Sequence, residues 1–446
     1  MNLDNIKSVL FLGIGGIGMS AIAKYFLAKG IKVYGYDKTP SDMTAVLSEL
    51  GALVSYIDDQ RLTENNYDVV VYTPAMPKDS FLLNHFQNSN IPLIKRSQAL
   101  GIITENNFTI AVSGSHGKTT VSSMIAFLLR ECGVDCSAFL GGVSVNFNSN
   151  YIQGSSNVVV VEADEFDRSF MTLSPDIVVL TSIDTDHLDI YGNRENIVNS
   201  FREFLSKLDA KGILIHNEKV EDEIFITGTK KIYGFYKGDF IAKIATILPT
   251  YSTFTINENK EVFKLNYNGR HNIENALAAI SVGLELGLEM KQMVDAIDKF
   301  RGIKRRFELI YSDEKVVFID DYAHHPAEIA ALVSSVKEIY PGRKILSIFQ
   351  PHLYSRTKDL CVDFAKSLDL SDEVILLPLY PARELPIEGV SSYIVSEKMK
   401  TNVEVVDKAE LIEVLKSLNF DVILTIGAGD ISNCISDIKN YLSTRE

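Results

Sequence analysis

Short apolar segments alternate with longer amphipathic stretches along most of the chain. The apolar segments are rich in valine and isoleucine and contain few polar residues. Continuous rather than alternating hydrophobicity is typical of strands covered on both faces, as in parallel sheets with helical crossovers. The pattern therefore predicts an α/β protein. The predicted strands are SVLFLGIG, KVYGYD, DVVVYTPA, FTIAVSGS, NVVVVEAD, DIVVLTSI, KVVFIDDYA, KILSIFQ, EVILLPL and DVILTIGAGD.

The alternation restarts twice, which predicts three domains. A chain of 446 residues agrees with this number at about 150 residues per domain. We expect a Rossmann-like domain at residues 1–106, a central P-loop domain at 107–301 and a Rossmann-like C-terminal domain at 302–446. Each is expected to contain a mainly parallel sheet flanked by helices.

Composition narrows the choice of partners and compartment. The net charge of −14 argues against a nucleic-acid partner bound through a basic face. Four cysteines without zinc or disulfide spacing fit a reducing cytoplasm. No apolar run reaches the roughly 18 residues of a membrane span. The uncharged segment 8–23 is rich in glycine and follows Asp4, which weighs against a signal peptide.

The first glycine-rich motif, GIGGIG, lies between a predicted strand and a predicted helix. Its glycines at 13, 15 and 18 match G-x-G-x-x-G, and Asp37 closes the next strand. In this arrangement a helix N-terminus faces a diphosphate and the acid faces a ribose. A purely structural turn is the alternative. The motif predicts diphosphate binding without specifying a nicotinamide cofactor.

The second motif, GSHGKTT, is an altered phosphate loop. The common P-loop has a glycine where Val112 stands, and here Gly114 replaces it. Backbone N–H groups of residues 115–120 can face phosphate oxygens, and Lys118 can reach the β/γ phosphates. Thr119 or Thr120 can offer a hydroxyl to Mg²⁺. The strand–turn–helix context predicts ATP binding.

Two further strand ends carry polar groups that suit a metal. Glu162 directly follows four valines, and we expect it at the carboxyl edge of the sheet as a metal ligand. A solvated acidic loop explains Asp164 and Glu165 equally well. His187 follows the next strand, and it is either a ligand or a structural histidine.

Polar clusters continue into the last third of the chain. The asparagines of GRHNIENALAAI either cap a helix or bind a purine edge. The basic GIKRRF is either a solvated turn or part of a site. FIDDYAHHPAEI and FQPHLYSRTKDL each end a strand with clustered groups, which is harder to explain by structure alone. The residues concerned are Arg270, His271, Asn272, Asn275, Lys304, Arg305, Arg306, Asp320, Asp321, Tyr322, His324, His325, His352 and Arg356.

Together these stretches resemble the Mur ligase family, and within it the alanine-adding branch. The resemblance spans the chain in order. Its motifs are GIGGIGMS, GSHGKTT, EADEFDRSF, DHLDIYG, GRHNIENALAAI, GIKRRF, DDYAHHP and QPHLYSRT. The family spells its ATP loop without the first glycine of the common P-loop, and its N-terminal fold holds a UDP-sugar instead of NAD.

The resemblance implies an ATP-dependent ligase that joins L-alanine to the lactyl carboxylate of UDP-N-acetylmuramate through an acyl phosphate. ATP, UDP-N-acetylmuramate and L-alanine would be its substrates, with two Mg²⁺ ions that Mn²⁺ could replace. A monomer or weak homodimer is expected. The nearest alternative is the related ligase that adds a tripeptide. A nicotinamide oxidoreductase leaves GSHGKTT unexplained, and a non-catalytic ATP-binding regulator is the third alternative.

The resemblance also implies roles for individual residues. Lys118, Glu162, His187 and Arg306 would be catalytic, with Thr119, Glu162 and His187 on the metal. ATP would contact Gly114, Ser115, His116, Gly117, Lys118, Thr119, Thr120, His271, Asn275, Arg306, Asp320 and Asp321. The UDP-sugar would contact Gly13, Gly15, Gly16, Ile17, Gly18, Asp37, Thr73, Ala75 and Arg96. The acyl substrate or alanine would contact Tyr322, His324, His325, His352 and Arg356.

The chain departs from the family pattern at a few positions. Leu353 stands where an arginine is expected after QPH, and Ala323 stands where glycine is commoner. Several sister ligases carry a carbamylated lysine fourteen residues beyond the metal-binding histidine. Counting from His187, that position is Phe201, which cannot bind a metal. We therefore expect activity that does not depend on dissolved CO₂.

Overall fold

The computed structural model describes residues 5–184, 191, 193–224, 228–248, 250–267, 269–382 and 384–445. The chain forms two compact units, Met1–Gly302 and Ile303–Glu446. None of the helices in the described ranges combines the length and the apolar character needed to cross a membrane. The described residues form three sheets, two in the larger unit and one in the smaller unit.

The first sheet of the larger unit is parallel throughout. Its strands are β1 Ser8–Leu12, β2 Lys32–Tyr36, β3 Leu53–Ser55, β4 Val69–Tyr72 and β5 Leu93–Lys95. The order β3-β2-β1-β4-β5 places β1 at the centre, where the chain crosses from one half to the other. The flanking helices are α1 Ile17–Ala28, α2 Asp42–Glu49, α3 Phe81–Gln87 and α4 Arg96–Thr104, with a 3-10 helix at Gln60–Thr63.

The second sheet combines a parallel centre with antiparallel edges. Its strands are β6 Phe108–Ser113, β7 Ser137–Ser144, β8 Ser149–Ile152, β9 Val158–Glu162, β10 Ile177–Leu180, β11 Ile213–Asn217, β12 Thr229–Gly234, β13 Phe240–Ile247, β14 Ser252–Ile256 and β15 Phe263–Leu265. The order is β15-β14-β13-β12-β11-β10-β6-β9-β7-β8. Strands β8, β14 and β15 are antiparallel to their neighbours. The α-helices are α5 Lys118–Glu131, α6 Arg194–Leu205, α7 Arg270–Glu285 and α8 Met290–Lys299, and 3-10 helices lie at Phe166–Thr172 and Glu218–Glu223.

A buried polar contact joins α1, which flanks the first sheet, to β8 of the second sheet. Lys24 on α1 is 8% exposed, and its Nζ lies 2.8 Å from Oδ1 of Asn150 on β8. The Asn150 amide nitrogen donates to the carbonyl of Ile17 and to the hydroxyl of Ser20. The first turn of α1 is therefore held directly by the second sheet. The expected domain boundary at residue 106 stays a prediction.

The smaller unit contains one sheet that is parallel except at one edge. Its strands are β16 Glu308–Ser312, β17 Val317–Asp321, β18 Ile345–Phe349, β19 Glu373–Leu376, β20 Val403–Val405 and β21 Val422–Ile426. The order is β16-β17-β21-β18-β19-β20, with β16 antiparallel. The α-helices are α9 Pro326–Ile339, α10 Tyr354–Leu368, α11 Tyr393–Ser396, α12 Leu411–Ser417 and α13 Ile435–Thr444, and a 3-10 helix lies at Asp430–Cys434.

The predicted α/β class with mainly parallel sheets is confirmed. Every apolar run named above forms a strand with at least one parallel neighbour. The central strands are buried on both faces, which explains their continuous hydrophobicity. The sequence analysis did not identify the antiparallel edges. In β14, next to the edge strand β15, buried and half-buried residues alternate, because one face of this end of the sheet is less covered.

Candidate active site

The phosphate-loop motif connects β6 to α5, and its two glycines are required by shape. Gly114 and Gly117 have φ of +130° and +81°, which side chains rarely adopt. A Cβ on Gly114 would lie 2.2 Å from the Thr181 hydroxyl, and one on Gly117 would lie 2.8 Å from Oδ1 of Asn275. The loop is therefore closely surrounded by the chain after β10 and by α7.

Hydrogen bonds hold the loop against the segment that follows β10. Ser115 donates its N–H to the Ser182 carbonyl at 3.1 Å, and its hydroxyl accepts from the Asp184 N–H at 2.8 Å. The His116 N–H donates to the Ser182 hydroxyl at 3.0 Å. The His116 ring and the Asp184 carboxylate are both more than half exposed. The backbone of the loop is thus fixed while the His116 side chain faces outward.

Lys118 is held by a buried carboxylate. Its Nζ lies 2.9 and 2.8 Å from the two carboxylate oxygens of Glu165 and 2.8 Å from the Gly114 carbonyl oxygen. The Lys118 and Glu165 side chains are 12% and 3% exposed. Burial opposes the charge of Lys118, but the nearby carboxylates, Glu165 foremost, outweigh it and raise its pKa. Burial raises the pKa of Glu165 against the attraction of Lys118. The alternative interpretation of Glu165 as part of a solvated acidic loop is wrong, because its side chain is buried.

The carboxylate of Glu162 is positioned by a glycine on the neighbouring strand. Glu162 ends β9, and its Oε2 accepts the Gly141 N–H from β7 at 3.0 Å. A Cβ on Gly141 would lie 2.3 Å from that oxygen. Only glycine therefore leaves room for this carboxylate orientation. Nothing in the sequence analysis identified Gly141, because its importance depends on the register between two strands.

Residues suited to Mg²⁺ lie at adjacent strand ends. Val112 of β6 lies opposite Glu162 of β9, and Thr119 is in the first turn of the helix that follows β6. Among the described residues, no cluster of three His, Cys, Asp or Glu side chains could hold a metal alone. Mg²⁺ keeps several waters and needs only one or two carboxylates beside phosphate oxygens, so these residues fit it. His187, the third predicted ligand, lies outside the described residues.

A pocket of about 360 Å³ connects the first glycine-rich motif with Glu162. Predicted sugar-nucleotide residues Gly16, Gly18 and Arg96 form one side. The guanidinium of Arg96 is 4.0 Å from the Asp164 carboxylate. The full lining is Gly16, Ile17, Gly18, Met19, Ala21, Ile22, Thr73, Arg96, Leu100, Phe139, Leu140, Gly141, Glu162 and Asp164.

Other predicted contacts of the first motif have internal partners. Asp37 accepts the Gly15 N–H at 2.7 Å, so this acid orients the loop. A Cβ on Gly13 would lie 2.5 Å from the Thr73 methyl group. Ala75 is exposed and is not among the residues that line the pocket. Contacts of these residues with a UDP-sugar stay predictions.

A second pocket, of about 520 Å³, lies beside the phosphate loop. It contains the predicted ATP residues His116, Gly117, His271 and Asn275. Most of the remaining lining was not predicted, because residues such as Asn217, Lys219 and Tyr233 lie in or just after β11 and β12, which carry no recognised motif. The lining is His116, Gly117, Thr181, Ser182, Ile183, Asp184, Arg194, Asn217, Lys219, Val220, Tyr233, His271, Glu274 and Asn275.

In the smaller unit, Arg305 of the basic turn before β16 forms an ion pair with the buried Asp320. Arg305 has φ of +61°, and its Nε lies 3.2 Å from the carboxylate of Asp320, which has no exposed surface. Asp320 also accepts the Thr425 hydroxyl at 2.6 Å. Asp321 accepts the N–H groups of Phe307 and Ala323, and desolvation raises its pKa to about 6. Asp321 is half-buried, whereas Asp320 has no exposed surface, so Asp321 is the better candidate of the pair for a ligand contact.

An aromatic and imidazole cluster lies at the ends of β17 and β18. The His324 ring packs edge-on against Tyr322 and His352, with centroids 5.4 and 6.4 Å apart. Burial lowers the pKa of His324, although Glu328 at 3.4 Å opposes the shift. The Glu328 carboxylate also accepts the N–H groups of His324 and His325. His325 is exposed, while the His324 ring remains in the cluster.

Leu353 is strained at the start of α10. Its φ is +73°, a conformation that favours glycine, and its N–H donates to the Tyr380 carbonyl at 3.0 Å. The same region stacks His352 on Tyr380 with centroids 5.8 Å apart. Arg356 lies one turn further along α10, and its charge reaches His324. The position at which leucine stands in place of the expected arginine is therefore also a position of backbone strain.

Three family models match successive parts of this chain. Residues 8–107 match the Mur ligase family catalytic domain, residues 112–283 the Mur ligase middle domain, and residues 305–429 the Mur ligase glutamate ligase domain. With the fold and sites described above, the chain belongs to the Mur ligase family. The resemblance seen in the motifs is confirmed.

Individual relatives place the chain more finely within the family. It is 43% identical to the UDP-N-acetylmuramate–L-alanine ligase of Cytophaga hutchinsonii, over 98% of this chain and 97% of that protein. It is 44% identical to the ligase of the same name from Flavobacterium psychrophilum, over 100% of both. The crystal structure of the UDP-N-acetylmuramate–alanine ligase of Thermotoga maritima is similar, with 29% identity, a TM-score of 0.83 and coverage of 99% of this chain and 100% of that one.

Proposed function

We propose that this protein is a ligase that forms the amide between L-alanine and the lactyl carboxylate of UDP-N-acetylmuramate, with release of ADP and phosphate. The observation that supports this most is the 360 Å³ pocket, because it brings Gly18 and Arg96 of the sugar-nucleotide side together with Glu162. The reaction would supply peptidoglycan precursors and so serve cell-wall assembly, cell shape and division. We also propose that the protein is cytoplasmic. It would be a monomer or a weak homodimer.

The reaction requires activation of a carboxylate. A free carboxylate does not react with an amine in water, because its leaving group would be oxide. Attack of one carboxylate oxygen on the γ-phosphorus of ATP forms an acyl phosphate and releases ADP. The alanine amine then attacks the acyl carbon, and phosphate leaves from a tetrahedral intermediate. Lys118 would neutralise charge on the transferring phosphoryl group.

ATP would occupy the 520 Å³ pocket and the adjoining loop. The N–H groups at the start of α5 face the expected phosphates, where the helix dipole also favours negative charge. His271, Asn275 and Tyr233 line the part of the pocket suited to a nucleoside. Arg306 and Asp321 of the smaller unit are further proposed ATP contacts.

Magnesium fits the residues at the two strand ends. Mg²⁺, or Mn²⁺ in its place, would supply charge neutralisation for the phosphates when bound. Thr119 and Glu162 would hold it, and His187 remains a proposed ligand. Glu162 is kept in position by the Gly141 N–H, so its carboxylate needs little reorganisation.

The cluster of the smaller unit suits an amino acid. The lowered pKa of His324 favours a neutral imidazole, which can accept a hydrogen bond from an ammonium group. Arg356 is a proposed partner for a substrate carboxylate, since guanidinium binds carboxylate in a bidentate manner. Tyr322 and His352 enclose the imidazole on two sides.

The test is release of phosphate from ATP in the presence of UDP-N-acetylmuramate, with L-alanine, glycine, L-serine or a tripeptide as the amine. The proposal expects release that requires both UDP-N-acetylmuramate and an amine and is fastest with L-alanine. Preference for the tripeptide would favour the related tripeptide-adding ligase. Phosphate release that does not depend on the amine would contradict amide formation.

A further inference from the structure

The contact between Lys118 and Glu165 uses all the hydrogen-bonding capacity of the lysine. An ammonium group has three donors and no acceptor. Here they meet the two oxygens of Glu165 and the carbonyl of Gly114 at 2.8 to 2.9 Å, with the Ser115 carbonyl oxygen as a further, longer contact at 3.5 Å. In this arrangement Lys118 has no donor left for a phosphate oxygen. An ATP phosphate can therefore pair with Lys118 only by displacing at least one of these partners.

Glu165 is anchored more firmly than Lys118. The Tyr191 hydroxyl donates to the main-chain carbonyl of Glu165 at 2.6 Å, and Tyr191 is itself buried. The Glu165 carboxylate is almost fully enclosed. Lysine, by contrast, carries its charge on a flexible four-carbon chain. When a phosphate competes for the ion pair, the lysine is therefore the partner that moves.

We propose that Glu165 is a positioning residue that holds Lys118 away from the phosphate site until ATP displaces it, and thereby weakens ATP binding in the resting enzyme. The ion pair keeps Lys118 compensated while no nucleotide is bound. The ATP phosphates take over that compensation when they bind. This inference rests on the proposed ATP site.

This role predicts that removing the charge of Glu165 strengthens ATP binding. Glu165→Gln keeps the shape of the side chain but removes the charge that holds Lys118. It destabilises the nucleotide-free state, because a buried charge loses its partner. The ATP-bound state is spared, because phosphate then pairs with Lys118. ATP should therefore bind about tenfold more tightly to the variant, the change in affinity expected when a charged hydrogen bond is lost from the free state only.

The experiment measures the dissociation constant of MgATP by calorimetry on the full chain, without UDP-N-acetylmuramate or amine. Glu165→Gln is compared with wild type, and Asp164→Asn controls for loss of a neighbouring negative charge. Tighter binding by Glu165→Gln alone supports the proposal. Unchanged or weaker binding overturns it, since a residue that only stabilises the fold, or that stays on Lys118 in the complex, gives those results. Absence of MgATP binding to wild type would instead refute the proposed ATP site.

A double-mutant cycle isolates the lysine. In a Lys118→Ala background, Glu165→Gln should no longer tighten ATP binding. An equal gain in that background would overturn the proposal, because simple relief of repulsion would then explain it. If Glu165→Gln folds poorly, Tyr191→Phe provides a second variant. It loosens the Glu165 backbone and should tighten ATP binding by a smaller factor, while weaker or unchanged binding would count against the proposal.

Discussion

The two glycine-rich loops of the larger unit share a position in their sheets but differ in how they are held. Each follows a central strand and opens a helix, α1 in one case and α5 in the other. In the first loop, Gly15 donates its N–H to the Asp37 carboxylate. The second is bound to the segment after β10 by Ser115 and His116, and it also carries a paired lysine.

The difference follows from the chemistry proposed for each loop. The first loop is proposed to hold a diphosphate that stays intact, so a helix N-terminus and close backbone approach suffice. The second is proposed to hold a phosphate that is transferred, and the charge that develops needs a cation at a fixed place. A binding loop can be built from glycines, whereas a transfer loop needs a charged side chain and a means of controlling it.

The largest expected effect comes from the second loop. Lys118→Ala should lower turnover by at least ~10³-fold, because the transferring phosphoryl loses its main protein charge. The variant should also melt at a lower temperature, since Glu165 is left buried without its partner. Steady-state turnover and a melting curve measure both, with Lys29→Ala as an exposed lysine control. Near wild-type turnover would remove Lys118 from the mechanism.

Gly141→Ala tests whether the Gly141 N–H positions Glu162, the proposed metal ligand beside the second loop. The new methyl group would meet Glu162 Oε2 at 2.3 Å and displace the carboxylate. Loss of a residue that orients a metal ligand typically costs about 10–100-fold in metal affinity or activity. Turnover measured against Mg²⁺ concentration should shift to higher concentration, as it should for Glu162→Gln. An unchanged Mg²⁺ dependence would show that Glu162 does not serve the metal.

Gly15→Val tests the first loop. Its Cβ would lie 2.9 Å from both the Asp37 carboxylate and the Thr44 methyl group, so the loop must move. We expect the KM for UDP-N-acetylmuramate to rise by about tenfold or more, with little change in the KM for ATP. Equal effects on both substrates would mean that the nucleotides are assigned to the wrong loops.

The smallest expected effect concerns dissolved CO₂. Phe201 is 1% exposed and packs edge-on against Phe170 with ring centroids 5.6 Å apart. It is part of the core and offers no group for carbamylation. Turnover in degassed, mildly acidic buffer should therefore not respond to bicarbonate added at fixed pH. A several-fold recovery would show that a carbamylated lysine exists elsewhere in the chain.

The sequence predicted the features that depend on local pattern. Continuous apolar runs identified ten strands with parallel neighbours, although not β3, β5, β7, β11, β12, β13 or β20, and glycine spacing identified both loops. It did not identify Gly141 or Tyr191, because their importance comes from which residues they meet across the fold. Glu165 was visible in the sequence, but its burial was not, since acidic residues after a strand are usually solvated.

Asp37 and Asp320 show that the partner of an acid is harder to predict than its position. The strand-end position predicts a ribose contact for Asp37, the family resemblance implies an ATP contact for Asp320, and both contacts stay predictions. In the structure Asp37 binds the loop backbone and Asp320 is enclosed with Arg305 and Thr425. The position of an acid along a strand can be read from sequence, whereas its hydrogen-bond partner depends on distant segments.

The most direct test of the proposed chemistry follows the oxygen atoms of the substrate. UDP-N-acetylmuramate labelled with ¹⁸O in the lactyl carboxylate is incubated with the enzyme, MgATP and L-alanine, and the products are analysed by mass spectrometry. An acyl phosphate transfers one carboxylate oxygen to phosphate, so the account predicts ¹⁸O in the released phosphate and one retained label in the amide. Label in AMP, or unlabelled phosphate beside the amide product, would contradict it.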